Sequence, residues 1–220
     1  MRVIPLGVLV LLLAPLAACG SDSPLGEVFP NLASNLFAQR EPDRLAIAEA
    51  ESGDVAQEGT EFIRFALGRR SADATLIQQQ GRRRMWRAAG GVVVATDGAR
   101  VVATSGLPQM VMGTRIDGTD PLEDPRALVG RSAETRRLVD ISGAARTPAS
   151  MRFGIAFDCR LRAANTDEGL ILIEERCRVT GAPPVTNRFW ADGETGAISY
   201  AEQWVGPGLG RLALDFTPGD

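Results

Sequence analysis

The sequence predicts a mainly β fold of the α+β kind: an antiparallel meander, or a sheet curled into a half-barrel, preceded by short N-terminal helices. Three observations carry this expectation. Turn formers are abundant, Gly 24 and Pro 13 among 220 residues, which favours many short strands over long helices. From Met151 to Ala163 apolar residues (Met151, Phe153, Ile155, Phe157, Cys159, Leu161, Ala163) alternate with Arg152, Gly154, Ala156, Asp158, Arg160 and Arg162, the period of a half-buried strand. Two Val-rich runs flank Asp97-Gly98 in GGVVVATDGARVVATSGL, residues 90 to 107, a strong short-range hairpin signal.

The N-terminus comes first in chain order. Met1-Arg2 is a basic head, and residues 3 to 18 form an apolar run interrupted by Pro5, Gly7 and Pro15. A spanning helix needs roughly 20 apolar residues, so this run reads as an export signal. Leu16-Ala17-Ala18-Cys19 resembles the lipobox of bacterial lipoproteins, and Gly-Ser-Asp-Ser follows it as a polar tether. The resemblance implies cleavage after residue 18 and acylation of Cys19 with chains such as palmitate. Residues 1–18 are then a cleaved signal peptide, 19–28 a lipidated tether and 29–220 a single mainly β domain. Two or more acyl chains hold a protein firmly, at about 0.8 kcal/mol per buried methylene. With Gly20 where inner-membrane lipoproteins tend to carry Asp, the lipoprotein resemblance implies the outer membrane, with the domain facing the periplasm.

Leu32, Leu36 and Phe37 recur at helical spacing between residues 29 and 39, with Asn31 as cap and Pro42 beyond the end. Residues 43 to 51, DRLAIAEAE, are also helix-like, and Thr60 to Leu67 reads as a third short helix capped by Thr60 and stopped by Gly68. Strands are expected at 75–79, 84–88, on both sides of Asp97-Gly98, and at 151–163, 170–179, 185–191, 197–205 and 211–216. Residues 114 to 150 read as a long irregular connection with an amphipathic piece at Glu134 to Val139. Ile198, Tyr200 and Trp204 share one strand face by alternation, and Leu212, Leu214 and Phe216 share another.

With Cys19 assigned to lipid, Cys159 and Cys177 remain, and an even remainder in an exported protein reads as a disulfide. Both sit on apolar faces of adjacent predicted strands. A turn centred on Glu168 sets them directly opposite; one centred on Asp167 makes them diagonal neighbours. The chain contains no His, and its 24 basic residues are all Arg. That removes His triads, His-ligated metals and Lys nucleophiles. No metal or cofactor is expected. A formal net charge of -3 argues against a nucleic-acid partner. Glu174-Glu175 and Asp192/Glu194 are the carboxylate groupings a glycosidase would need, but adjacent strand residues point to opposite faces.

Residues 187 to 208, NRFWADGETGAISYAEQWVGPG, carry Trp190, Asp192, Thr195, Gly196, Ile198, Gln203, Trp204, Gly206 and Pro207. This pattern resembles the closing motif of the YjbF/GfcB family of outer-membrane lipoproteins, linked to exopolysaccharide secretion and group 4 capsule assembly. The hairpin residues Asp97-Gly98, Arg100, Val101, Thr104 and Gly106-Leu107 are similar to that family as well. The resemblance implies a protein tied to the membrane by its lipid, serving polysaccharide export beside other envelope proteins, with no catalytic residue supplied. The expected role is a non-catalytic binding or assembly component. Trp190, Asp192, Gln203, Trp204, Arg83 and Trp86 are its candidate glycan or partner contacts, because aromatic faces stack on sugars and the run Arg82-Arg83-Arg84-Met85-Trp86-Arg87 is the basic cluster of the chain. A structural reading stands beside each: Trp190, Tyr200 and Trp204 as sheet packing, Asp192 and Thr195 as turn caps, and the basic run as a solvated strand edge. The alternative functions are a lipid or lipoprotein carrier, which requires a wide apolar pocket, and a glycan hydrolase, which requires a carboxylate-lined cleft.

Overall fold

The computed structural model describes residues 61–216. The predicted signal peptide, Cys19, the tether and the helices at 29–39 and 43–51 lie outside the described residues. Among these, twelve strands form one antiparallel sheet: β1 Phe62–Leu67, β2 Arg70–Gln80, β3 Arg83–Ala88, β4 Val93–Asp97, β5 Arg100–Ser105, β6 Gln109–Ile116, β7 Ser132–Gly143, β8 Arg152–Asn165, β9 Leu170–Val179, β10 Ala182–Asp192, β11 Ile198–Trp204 and β12 Arg211–Asp215. The order across the sheet is β5-β4-β3-β2-β1-β12-β11-β10-β9-β8-β7-β6. The first and last strands therefore pair with each other, Arg64 opposite Asp215. The free edges are β5 and β6, neighbours in the chain joined by Gly106, Leu107 and Pro108. The sheet curls until these edges meet at a seam, where the Val111 amide donates to Thr104 Oγ1 at 2.9 Å. The result is a nearly closed barrel.

Tight turns make this meander. Asp97 pairs with Arg100 across Gly98-Ala99, with Gly98 at φ 57, a left-handed value that side chains resist. The expected strands after residue 70 are all present, and β9 runs over the expected residues. Cys159 lies directly opposite Cys177 and is bonded to it, so the turn centres on Glu168.

Four expectations are corrected. Residues 62–67 form β1, not a helix: Ile63 and Phe65 are buried while Arg64 is exposed, a period of two, and Gly68 begins a hairpin turn where a helix stop was expected. The stretch 114–150 is not an irregular connection. It holds the end of β6, two short 3-10 turns at Pro121–Glu123 and Pro125–Leu128, and the twelve-residue β7. The piece at Glu134 to Val139 is strand, with Thr135, Arg137 and Val139 buried. Its polar inward residues hid the alternation. Phe153 is 70% exposed, not inward, because Gly154 at φ 63 and a register shift between Val139 and Ile141 interrupt the pleat. Finally, the basic run is no edge: β3 lies between β2 and β4.

The inner face is filled. Trp86, Phe157, Leu161, Phe189 and Leu214 are fully buried, each contributing about 1.5–3 kcal/mol. The outer face of β7–β11 carries arginines and carboxylates. Charges at the midplane of a lipid-facing strand cost about 2–4 kcal/mol each, so this barrel has the opposite polarity to one that spans a bilayer. No helix among the described residues is long and apolar enough to cross a membrane.

Candidate functional site

Inside the barrel, between the apolar clusters, sits a group of charges. Arg100 on β5 reaches Asp120 in two contacts, Nε to Oδ2 at 2.6 Å and Nη2 to Oδ1 at 3.0 Å, and donates from Nη1 to Glu175 Oε2 on β9 at 3.1 Å. Arg137 on β7 lies 3.4 Å from Glu175 Oε2 and over the Phe157 ring at 5.0 Å. Asn187 Nδ2 also donates to Glu175, while Asn187 Oδ1 accepts from the Trp204 amide at 2.8 Å. Burial raises the Glu175 pKa, but Arg100, Arg137 and these hydrogen bonds outweigh it and hold the carboxyl down at about 2. Burial likewise pushes Arg100 down, and Glu175 and Asp120 more than reverse it. Arg137 stays below its usual value because burial outweighs Glu175, with Arg100 adding repulsion. All these groups are sealed from solvent and neutralise one another. The cluster pins strands together and offers no surface to a ligand.

The motif residues belong to this machinery. Gln203 accepts from the Val101 amide at 3.0 Å and donates to the Ala99 carbonyl at 2.7 Å, gripping the free edge of β5 from within. Gly206 has no room for a side chain, since a Cβ there would lie 2.8 Å from Cβ of Gln109. Asp192 Oδ1 accepts from the amides of Glu194 and Thr195 and from Thr195 Oγ1 at 2.7–3.1 Å, capping its turn; these bonds hold its carboxyl below the usual range. The two stretches singled out in the sequence thus meet in space and close the barrel.

The candidate contact residues separate accordingly. Trp86 and Gln203 are interior, at 0% and 2% exposure, and present nothing to a partner. Trp86 Nε1 donates to Thr96 Oγ1 at 3.2 Å. Trp204, partly buried, packs its ring 5.2 Å from Phe157 against the disulfide-side core cluster, a packing contact that the Trp190–Tyr200 pair does not make. Arg83 is exposed and 3.6 Å from Asp97. Trp190 stands opposite Tyr200, ring centroids 5.2 Å apart and edge to face, both partly exposed on the outer side. Of the carboxylate groupings, Glu175 is buried while Glu174 points outward, as alternation requires.

Around Trp190 the register assembles a surface no single strand contains. One transverse row is Arg162, Glu174, Arg188 and Glu202 on β8 to β11; the row above is Leu172, Trp190 and Tyr200; the row below pairs Glu134, Arg160 and Arg176. Arg136, Asp158 and Arg178 extend it, and Arg211 reaches Glu202 at 3.8 Å. Arginine outnumbers carboxylate on this face, although the whole chain is acidic. The ion pairs are solvent-exposed, Arg160–Glu134 and Arg176–Glu174 at 2.6 Å and Arg188–Glu202 at 3.8 Å. Sequence reading found Trp190 and Tyr200 but not their arginine neighbours. Their outward alternation was visible in β8, whereas their juxtaposition depends on register across four strands.

Two open clefts flank the β2–β3 turn. One, of about 290 Å³, runs over Gln78, Met85, Ala95 and Ala103 towards Gly113 at the seam. The other, of about 550 Å³, is lined by Arg82, Arg84, Leu122, Glu123, Ile198 and Phe216, with Arg82 paired to Glu123 at 2.8 Å.

Comparison with known proteins agrees with this architecture. The family model described as group 4 capsule polysaccharide lipoprotein GfcB, YjbF, matches residues 46–216. Among solved structures, the hypothetical lipoprotein YmcC from Escherichia coli K12 is similar in fold, with a TM-score of 0.56 and 16% identity over 72% of this chain and 84% of that one. No curated protein matches the chain.

Proposed function

The chain belongs to the YjbF family of group 4 capsule polysaccharide lipoproteins, and from that membership we propose that it is a lipid-anchored, non-catalytic component of capsule or exopolysaccharide export. Acylated Cys19 holds it at the outer membrane, facing the periplasm, with residues 29–220 as one domain that works beside other envelope proteins of the export system. The observation that carries the non-catalytic reading is the filled interior: the titratable groups with strong perturbation are sealed in a neutral cluster, and the interior holds Trp86, Phe157 and Phe189 where a carrier would need space. This favours a protein that acts through its outer surface over the lipid carrier or the hydrolase. Among the earlier candidates, Trp190 and Arg83 keep exposed surface for glycan or partner contact.

The test is genetic and biochemical together. Deletion of the gene is expected to abolish or sharply reduce exported polysaccharide. Cys19→Ser is expected to leave the protein folded, release it from membranes and fail to restore export. Full export from the deletion strain would remove the role, and unchanged membrane fractionation of the Cys19→Ser protein would remove the anchor.

A further inference from the structure

We infer that the outer face of β8–β11 is a binding surface for an acidic polysaccharide, with Trp190 and Tyr200 taking a sugar face and the neighbouring arginines its carboxylates. The inference rests on the polysaccharide role proposed above and adds the class of sugar and the site. Three features carry it. First, Arg160 and Arg162 on β8, Arg176 on β9 and Arg188 on β10 gather in two adjoining rows, Arg160 directly opposite Arg176 and Arg162 and Arg188 on either side of Glu174, on strands about 4.8 Å apart, so that several positive charges face a polymer with repeating charge at once. Their guanidiniums present planar paired donors that match carboxylates. Second, the adjoining row ends in the Trp190–Tyr200 pair, so an apolar ring face lies beside the charges, the combination a pyranose carboxylate needs.

The third feature chooses between polymer and membrane. The arginines are interleaved with Glu174 and Glu202, both partly exposed. Sugar hydroxyls can donate to these carboxylates, so a glycan satisfies both signs of the array. A sheet of lipid phosphates would meet the same carboxylates as repulsion. The Arg160 and Arg176 side chains are 56% and 75% exposed, and their present ion pairs are of the surface kind that exchange readily.

The experiment measures binding of the full chain in neutral detergent to oligogalacturonate, to neutral dextran oligosaccharide and to phosphatidylglycerol vesicles, at low and high salt. Oligogalacturonate is expected to bind and to weaken with salt, and dextran is expected not to bind. Arg162→Glu with Arg176→Glu is expected to weaken binding about tenfold or more with an unchanged melting curve. Trp190→Ala is expected to weaken it several-fold while leaving the salt dependence intact. Arg69→Glu, in the exposed β1–β2 turn and outside the array, serves as the control and is expected to bind normally. Binding that survives both the charge reversal and Trp190→Ala overturns the site but leaves the export role standing. Equal binding of dextran overturns the acidic class, and binding of vesicles without oligogalacturonate overturns the glycan in favour of a membrane. The export role itself is decided by the deletion strain.

Discussion

The molecule holds arginine–carboxylate pairs in two settings. Arg100 and Glu175 are both at 0% side-chain exposure within the barrel, whereas Arg160 and Glu134 stand at 56% and 71% on its outer face. The distances are alike; the consequences are not. Inside, each charge has left water at a cost of several kcal/mol, and the structure tolerates it because Asp120, Arg137 and Asn187 complete the neutralisation. Outside, the same chemistry is screened and contributes close to nothing to stability. Identical residue types therefore serve as architecture in one place and remain available for recognition in the other.

The comparison breaks most visibly at Glu175. Glu175→Gln leaves Arg100 and Arg137 facing Asp120 alone, and the expected loss is about 3–5 kcal/mol in urea denaturation. A change under 1 kcal/mol would mean that the interior cluster is as dispensable as the outer pairs. Acid exposes the same group. Glu175 titrates at about 2 when folded, against 4.5 in the unfolded chain, so its contribution is complete above about pH 4.5 and is lost as the pH falls towards 2. The expected loss is on the order of 3 kcal/mol, and it should vanish from the pH profile of the Glu175→Gln protein.

Replacing both Cys159 and Cys177 with Ser is expected to cost about 3 kcal/mol, read as a lower denaturation midpoint, given a bridge across a separation of 18 residues. Gln203→Leu sharpens the picture at the seam. It strips partners from the buried amide of Val101 and the carbonyl of Ala99, and about 1–3 kcal/mol should be lost. At the small end, Arg160→Ala should leave the melting temperature unchanged; a clear drop would show that the outer array is structural after all.

Much of this was legible in the sequence, for identifiable reasons. Strands with an apolar inner face announced themselves: β8 and β9 by alternation, β4 and β5 by Asp97-Gly98, and the disulfide by two cysteines on apolar faces. β7 was missed because its inward residues include Thr135 and Arg137, so the period of two carried no hydrophobic signal. β1 was missed because capping residues at its ends mimicked a helix. Trp86, Gln203 and Trp204 were read as surface contacts, since aromatic and amide residues suit both a binding face and a core. Only their neighbours separate the two uses. The outer array escaped because Arg162, Arg176 and Arg188 belong to three strands.

By itself the sequence determined the mainly β class, the order of most strands, the pairing of Cys159 with Cys177 and the family likeness, because turns and alternation are local properties that a short stretch declares. Only the tertiary structure decided which arginines are buried and which exposed, that β1 joins β12 while the seam falls between β5 and β6, and that Gln203 grips the edge of β5. Those outcomes depend on strand register and closure, and they bring together residues about 100 to 150 positions apart, Gln203 with Val101 and Asp215 with Arg64, whose meeting no local pattern encodes.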